Sequence, residues 1–177
     1  MNVICFGDSN TYGYDPRSWF GGRYDAENRW VDILAAETGW TVCNMGQNGR
    51  EIPAAAPTFS EDTDLLIVML GTNDLLQGHS PESAAGKLER FLSGISLSQD
   101  KLLLIAPPPM APGEWVPSQQ LIDASKAFAR CCRELAERLG IRFADTRKWD
   151  IPLAYDGVHF TEQGHKSFAA GLLEELK

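Results

Sequence analysis

Along the chain, short runs that are apolar at nearly every position alternate with longer stretches in which apolar residues return every three or four positions. Residues 2–6 (NVICF), 65–70 (LLIVML) and 101–106 (KLLLIA) are apolar runs of strand length, and 41–44 (TVCN) and 141–144 (IRFA) are shorter ones. A strand that is apolar at every position fits a parallel sheet covered on both faces. Gly7, Gly71 and the run Pro107-Pro108-Pro109 close three of them. Helical spacing occupies 29–37, 81–92, 118–139 and 161–176, with Gly140 as a C-cap and Thr161 as an N-cap. Strand–helix alternation of this kind predicts right-handed crossovers and a doubly wound, three-layer α/β/α sandwich on a five-stranded parallel sheet. With no repeat, low-complexity tract or linker, residues 1–177 form a single domain.

Composition narrows the function classes. The formal net charge of −8 offers no basic patch for nucleic acid or an anionic membrane surface. No apolar segment approaches the roughly 20 residues that span a bilayer, and the N-terminus has no leader pattern, so a cytoplasmic protein is expected. Cys5 and Cys43 fall in strands, while Cys131 and Cys132 are adjacent on a helix. There is no CxxC or His/Cys spacing for zinc, so all four are expected to be buried free thiols, and no metal site is expected.

In parallel α/β sheets ligands bind beyond the carboxyl ends of the strands. Four segments there carry chemistry: Gly7-Asp8-Ser9-Asn10, Asn44-Met45-Gly46, Gly71-Thr72-Asn73-Asp74 and Asp156-Gly157-Val158-His159. A serine hydroxyl needs a base to take its proton, and the base needs a carboxylate on its other nitrogen. Asp156 and His159 are three residues apart in a loop, so their side chains can meet after one tight turn. Ser9 would face that loop across the top of the sheet. His165, six residues further along the last helix, is expected at the surface, and His79 in a polar loop is expected to be solvated. Asp8 and Asp74 are expected to hold their own turns. Singly, each residue has a plainer use: Asp8 or Ser9 as a helix cap, Gly46 in a turn, Asn73 with Asp74 as a cap. Four such coincidences in order favour a site.

The ordered blocks GDS, N-x-G, GTND and D-x-x-H span nearly the whole chain, and in this they resemble the SGNH (GDSL) hydrolase superfamily. The strained G-x-S-x-G turn of α/β-hydrolases is absent, which also points to an SGNH site. The resemblance implies a flavodoxin-like fold and a Ser9–His159–Asp156 triad. It also implies an oxyanion hole built from the N–H groups of Ser9 and Gly46 and the amide of Asn73. It requires no cofactor or metal. Asn10 stands where leucine is usual. GDSNTYGYDP, with Arg29-Trp30 beyond it, resembles the short arylesterase/acyltransferase branch, whose members cleave small acyl esters, often form homo-oligomers and can pass the acyl group to alcohols.

Aromatic residues crowd the segments around these blocks. Tyr12, Tyr14, Trp19, Phe20 and Tyr24 follow Ser9, Met110 and Trp115 lie in the loop 107–117, and Trp149 and Tyr155 precede Asp156. An apolar pocket touching Tyr12, Trp115 and Trp149 is expected, the alternative being that these rings cover core edges or a subunit interface. The expected reaction is hydrolysis of small acetyl-type esters. A carbohydrate O-deacetylase or a thioesterase could use the same site, and a binding module on the same fold would have lost the chemistry.

Overall fold

In a computed structural model, which describes residues 1–18 and 20–177, five strands form one parallel sheet in the order β2-β1-β3-β4-β5. They are β1 (Asn2–Gly7), β2 (Thr41–Gly46), β3 (Leu65–Met69), β4 (Leu102–Ala106) and β5 (Arg142–Asp145). Trp19, expected in the aromatic loop after Ser9, lies outside the described residues. The sequence reading finds the sheet and its four long helices: α2 (Trp30–Thr38), α4 (Pro81–Ser93), α5 (Gln119–Leu139) and α6 (Glu162–Glu175). Two short helices, α1 (Ser9–Tyr12) and α3 (Thr72–Leu76), are additional, because four or five residues are too few to show a period.

Side chains alternate across a strand, and here the alternation sorts them into two cores. Leu66, Val68 and Leu70 pack on the face covered by α4 and α5, with Phe6, Leu102, Leu104, Leu88, Phe91 and Phe128. Leu65, Ile67 and Met69 pack on the opposite face with Val3 and Cys5 of β1, Trp30 and Leu34 of α2 and Phe168 of α6. That explains why β3 and β4 read as apolar at every position: all their residues are buried. β2, at the edge, is only partly covered, and Cys43 there is exposed. Cys131 is half-covered, so of the four thiols expected in the interior only Cys5 and Cys132 are buried.

Local signals set the helix ends. Ser80 accepts from Ser83 N–H at 3.2 Å with Pro81 in the first position, and Thr161 accepts from Gly164 N–H at 2.9 Å. Gly140 closes α5 with φ of +65°, a left-handed conformation that suits glycine. Among the described residues no helix is long and apolar enough to cross a membrane.

His165 corrects the expectation of a surface residue. It is fully buried on α6, packed against the rings of Tyr24 and Phe160, with Nδ1 a long 3.5 Å from the Trp30 N–H. Its place in the sequence, one turn into an amphipathic helix, did not say which side it faced. Burial pushes its pKa down to about 3, so the ring is neutral in the folded protein. In the unfolded chain it would protonate below roughly pH 6.5. Stability is therefore lost as pH falls from there toward 3. Asp8 acts in the opposite sense, because burial pushes its carboxyl up to about 6 and the folded state then holds the proton more tightly. The contribution of His165 can be isolated by comparing urea unfolding of the wild type and His165→Phe. Between pH 6.5 and 4.5 the variant should lose about 2 kcal/mol less stability than the wild type. Equal losses would show that the buried imidazole does not govern the acid limb.

Candidate active site

Ser9 is placed by the end of β1. The chain turns at Gly7, where a Cβ would stand 2.1 Å from Thr11 Oγ1 and 2.8 Å from the Met69 carbonyl oxygen. Asp8 then caps α1, its Oδ1 accepting from Asn10 N–H at 3.0 Å. That capping bond goes to Asn10 and not to Ser9, so the Ser9 N–H at the first position of the helix has no partner among the described residues. Asp8 is buried, and burial raises its pKa to about 6 even though the Asn10 bond and nearby His159 favour the charged form.

Asp156 and His159 meet as their spacing suggests. Gly157, at φ +80°, turns the chain so that Asp156 Oδ1 accepts from the N–H groups of Val158 and His159, both at 2.9 Å. Asp156 Oδ2 faces His159 Nδ1 at 2.7 Å. Burial pushes this carboxyl up, but the bonds from His159 and Val158 outweigh it and hold the pKa below the usual value. With the ring proton on Nδ1 directed at the carboxylate, Nε2 is left to accept, and the Ser9 hydroxyl lies 2.9 Å from it. Both His159 and Asp156 are almost wholly buried. The relay of hydroxyl, imidazole and carboxylate is thus assembled from residues 150 positions apart.

Ser9 and His159 open onto a cavity of about 260 Å³ that Tyr14, Asn48, Gly49, Asn73, Trp115 and Val158 also line. Two aromatic rings flank the imidazole: Tyr14 at 4.6 Å between ring centres and Trp115 edge-on at 4.9 Å. The Trp115 loop is tied to the Asp156 loop through Trp115 N–H to the Asp156 carbonyl at 3.1 Å and Ala111 N–H to the Gly157 carbonyl at 3.0 Å. This approach requires glycine at 113, where a Cβ would stand 2.3 Å from Asp156 C and Gly157 N.

Of the three rings expected in the pocket, only Trp115 lines it. Tyr12 lies beneath the Arg23 guanidinium, 4.4 Å from its ring centre, and Trp149 packs edge-on against Phe168 at 5.1 Å. Trp149 follows the alternative of covering a core edge, since the strand-end loop carries it over α6, whereas Tyr12 is paired with Arg23 away from the cavity. Tyr24 and Met110 are buried, Tyr155 is largely exposed with its hydroxyl donating to the Pro16 carbonyl at 2.8 Å, and Phe20 is almost fully exposed.

Asn73 faces the cavity, with one Nδ2 hydrogen donated to the Arg50 carbonyl at 3.0 Å and a second left over. Gly46 does not reach it. Gly46 is the last residue of β2, in register with Gly7, and its N–H is donated to Asn44 Oδ1 at 2.9 Å. A Cβ there would sit 2.1 Å from Tyr12 N, so this glycine serves close packing of β2 on α1. Three residues on, Gly49 lines the cavity with φ +70°, and among the described residues its N–H has no partner. The sequence block is really N-x-G-x-x-G, and only the length of β2 tells which glycine lies in the strand and which beyond it.

The sequence does not single out Arg50 or Lys87 as supports, and the Asp74 side chain binds a neighbouring loop and Lys87 instead of its own turn. Arg50 donates to the carbonyls of Gly7, at 3.0 Å, and Met45, closing the ends of β1 and β2, and its guanidinium lies 4.2 Å from the centre of the Phe6 ring. Asp74, fully buried, accepts from Ile52 N–H at 2.9 Å and from Lys87 Nζ at 2.8 Å, so it ties the loop carrying Gly49 to α3 and α4. Lys87 Nζ also lies 3.0 Å from His79 Nε2 and 3.4 Å from Glu51 Oε2. The side chains of Glu51, Asp74 and His79, which cluster closely enough to surround a cation, thus surround that ammonium. His79 is therefore in a polar cluster and not simply in solvent.

A serine hydroxyl within hydrogen-bond reach of a buried His–Asp pair, at the strand ends of a parallel α/β sandwich, is an arrangement suited to acyl transfer. Residues 5–167 match the GDSL-like lipase/acylhydrolase family model, and the chain belongs to that family, which makes it a carboxylic ester hydrolase. An aryl esterase of M. smegmatis is similar over 99% of this chain and 97% of its own, with 26% identity and a TM-score of 0.83. A carbohydrate acetylesterase family member from Sinorhizobium meliloti matches with a TM-score of 0.82, 23% identity and coverage of 99% and 96%. A member of the lipolytic G-D-S-L family from Veillonella parvula matches at 0.75, with 23% identity and coverage of 98% and 97%. At 23% the last two are likenesses of fold. No curated protein matches the chain.

The two glycines make opposite predictions. Gly46→Ala forces a Cβ into the Tyr12 backbone and should destabilise the protein by about 3 kcal/mol or more, read as a large drop in Tm. Gly49→Ala meets nothing within 4 Å and should cost only about 1 kcal/mol, from the positive φ. A Gly46→Ala protein as stable as the wild type would contradict the packing described for β2 on α1.

Proposed function

We propose that the chain is a serine esterase acting on small, acetyl-type acyl esters, with Ser9 as nucleophile, His159 as general base and acid, and Asp156 as the group that orients and stabilises the imidazolium. The observation that carries this reading is the continuous path from Asp156 through His159 to Ser9, at 2.7 and 2.9 Å, ending at the wall of a cavity. At about 260 Å³ the cavity is below the roughly 300–1,000 Å³ that takes drug-sized ligands, which favours a short acyl group.

His159 Nε2 takes the hydroxyl proton as Ser9 Oγ bonds to the acyl carbon, and the carbonyl electrons move onto oxygen. The collapse of this tetrahedral species expels the alcohol, which leaves with the proton from His159. Water then repeats the sequence: it gives a proton to His159, attacks the acyl-serine and releases the acid, and Ser9 regains its proton. The oxyanion is held by the Ser9 N–H, the second Nδ2 hydrogen of Asn73 and the Gly49 N–H. Gly49 takes the place expected of Gly46, because the Gly46 N–H is already committed to Asn44.

The test is hydrolysis of p-nitrophenyl acetate, butyrate and octanoate, with acetylated sugars and acyl-CoA beside them. Acetate should be cleaved fastest, Ser9→Ala should be folded and without activity, and Asn73→Ala should lose about 10²–10³ in kcat while staying folded. Full activity in Ser9→Ala would overturn the mechanism, and preference for octanoate would overturn the short acyl pocket.

A further inference from the structure

We propose that Asn10 is a positioning residue for the reaction: its side-chain amide grips the main chain on both sides of His159 and so sets the separation of the base from Ser9. This rests on the esterase reading above and deepens it.

The observation is a pair of complementary hydrogen bonds. Asn10 Nδ2 donates to the Val158 carbonyl at 3.1 Å, and the Phe160 N–H donates to Asn10 Oδ1 at 2.9 Å. A carboxamide presents one donor and one acceptor side by side, as a neighbouring strand would, and here it is paired across a single residue, His159. Among the described residues, the only other hydrogen bond between segments 8–12 and 156–160 is the Ser9–His159 contact itself. Within these two segments, nucleophile and base are therefore joined by one independent hydrogen-bonded tie, and that tie begins at the residue bonded to Ser9.

The tie is anchored at both ends. On its own side, Asn10 N–H is held by Asp8 Oδ1 and the Asn10 carbonyl accepts from Trp30 Nε1 at 2.9 Å, with Trp30 almost completely buried. On the other side, His159 N–H is held by Asp156 and its carbonyl accepts from Ala154 N–H at 2.7 Å. Asn10 is itself 5% exposed, so water does not substitute for its amide. An apolar side chain of similar size fills the space yet leaves the Val158 carbonyl and Phe160 N–H buried and unpaired. Those two groups then draw the His159 segment toward whatever partners it can find. A shift of about 1 Å in such a pair costs on the order of 10²-fold in rate, while the cavity that binds the acyl group is unaffected.

The experiment compares wild type, Asn10→Leu and Asn10→Ala, each checked for folding by Tm and circular dichroism. Two readouts are taken: kcat and KM on p-nitrophenyl acetate, and the rate at which Ser9 is labelled by a fluorophosphonate. Asn10→Leu should lose 10- to 100-fold in kcat and in labelling rate, with KM within about twofold of wild type. Asn10→Ala admits water to the two orphaned groups, so it should fold even if the leucine variant does not, and it should shift the same readouts in the same direction. A folded variant that turns over and labels at the wild-type rate overturns the inference. So does a variant whose loss lies in KM with kcat unchanged, since that places Asn10 at the binding surface. A wild type that labels at Ser9 yet hydrolyses no ester would overturn the esterase reading while the labelling rates still decide the role of Asn10. A wild type that neither labels nor hydrolyses overturns both.

Discussion

Five strands running in the same direction must be joined by crossovers, and each crossover leaves its strand at the same edge of the sheet. Everything at the candidate site depends on that geometric constraint. With β1 inside the sheet, flanked by β2 and β3, its carboxyl end lies between two other strand ends, so Ser9 is bordered by the segment after β2 and the segment after β3. These bring Gly49 and Asn73 to the cavity without either being a neighbour of Ser9 in sequence. The fourth part, Asp156 with His159, comes from the segment between β5 and α6, and the loop after β4 is folded down upon it.

Because these segments do not share a strand or helix, they are held together by polar contacts between loops. Arg50 closes β1 on β2, Asp74 joins the 47–52 loop to α3, and the backbone bonds around Gly113 and Gly157 join the Trp115 loop to the Asp156 turn. Several of the groups involved are buried, where an unmet donor or acceptor is costly. The preorganisation of the site and the stability of the loops are therefore the same physical matter: the hydrogen bonds that satisfy the buried backbone also aim the side chains. Lys87 shows the electrostatic counterpart, an ammonium that neutralises the buried Asp74 carboxylate and so lets it serve as a fixed acceptor for Ile52.

The sequence made the sheet legible because β3 and β4 are buried at every position, and β1 at most of its positions, which leaves little room for polar residues. Likewise the Asp156–His159 pair could be foreseen, since a three-residue spacing with glycine between confines both side chains to one turn. Which of Gly46 and Gly49 borders the cavity is not legible in one dimension, because a glycine that packs a strand on a helix and one with an open N–H look identical there. Tyr12 and Trp149 were misplaced for a related reason: an aromatic residue near a strand end is apolar whether it faces a ligand or a core. His165 was misjudged because the neutral form of histidine is at home among Tyr24 and Phe160, and nothing in its letter distinguishes that from a solvated imidazolium. In the sequence Asn10 stands out only as a departure from the usual leucine, since its partners are backbone atoms nearly the whole chain away.

At Val158 two duties fall on different atoms. Its carbonyl meets Asn10, whereas the residue also borders the cavity and packs in the core. A main-chain oxygen survives any side-chain exchange, so the identity of residue 158 can drift, or be redesigned, without severing the link to Asn10. The fold thus separates the shape of the acyl chamber from the alignment of its chemistry, and a lineage can retune which ester it accepts one residue away from the histidine that would cleave it.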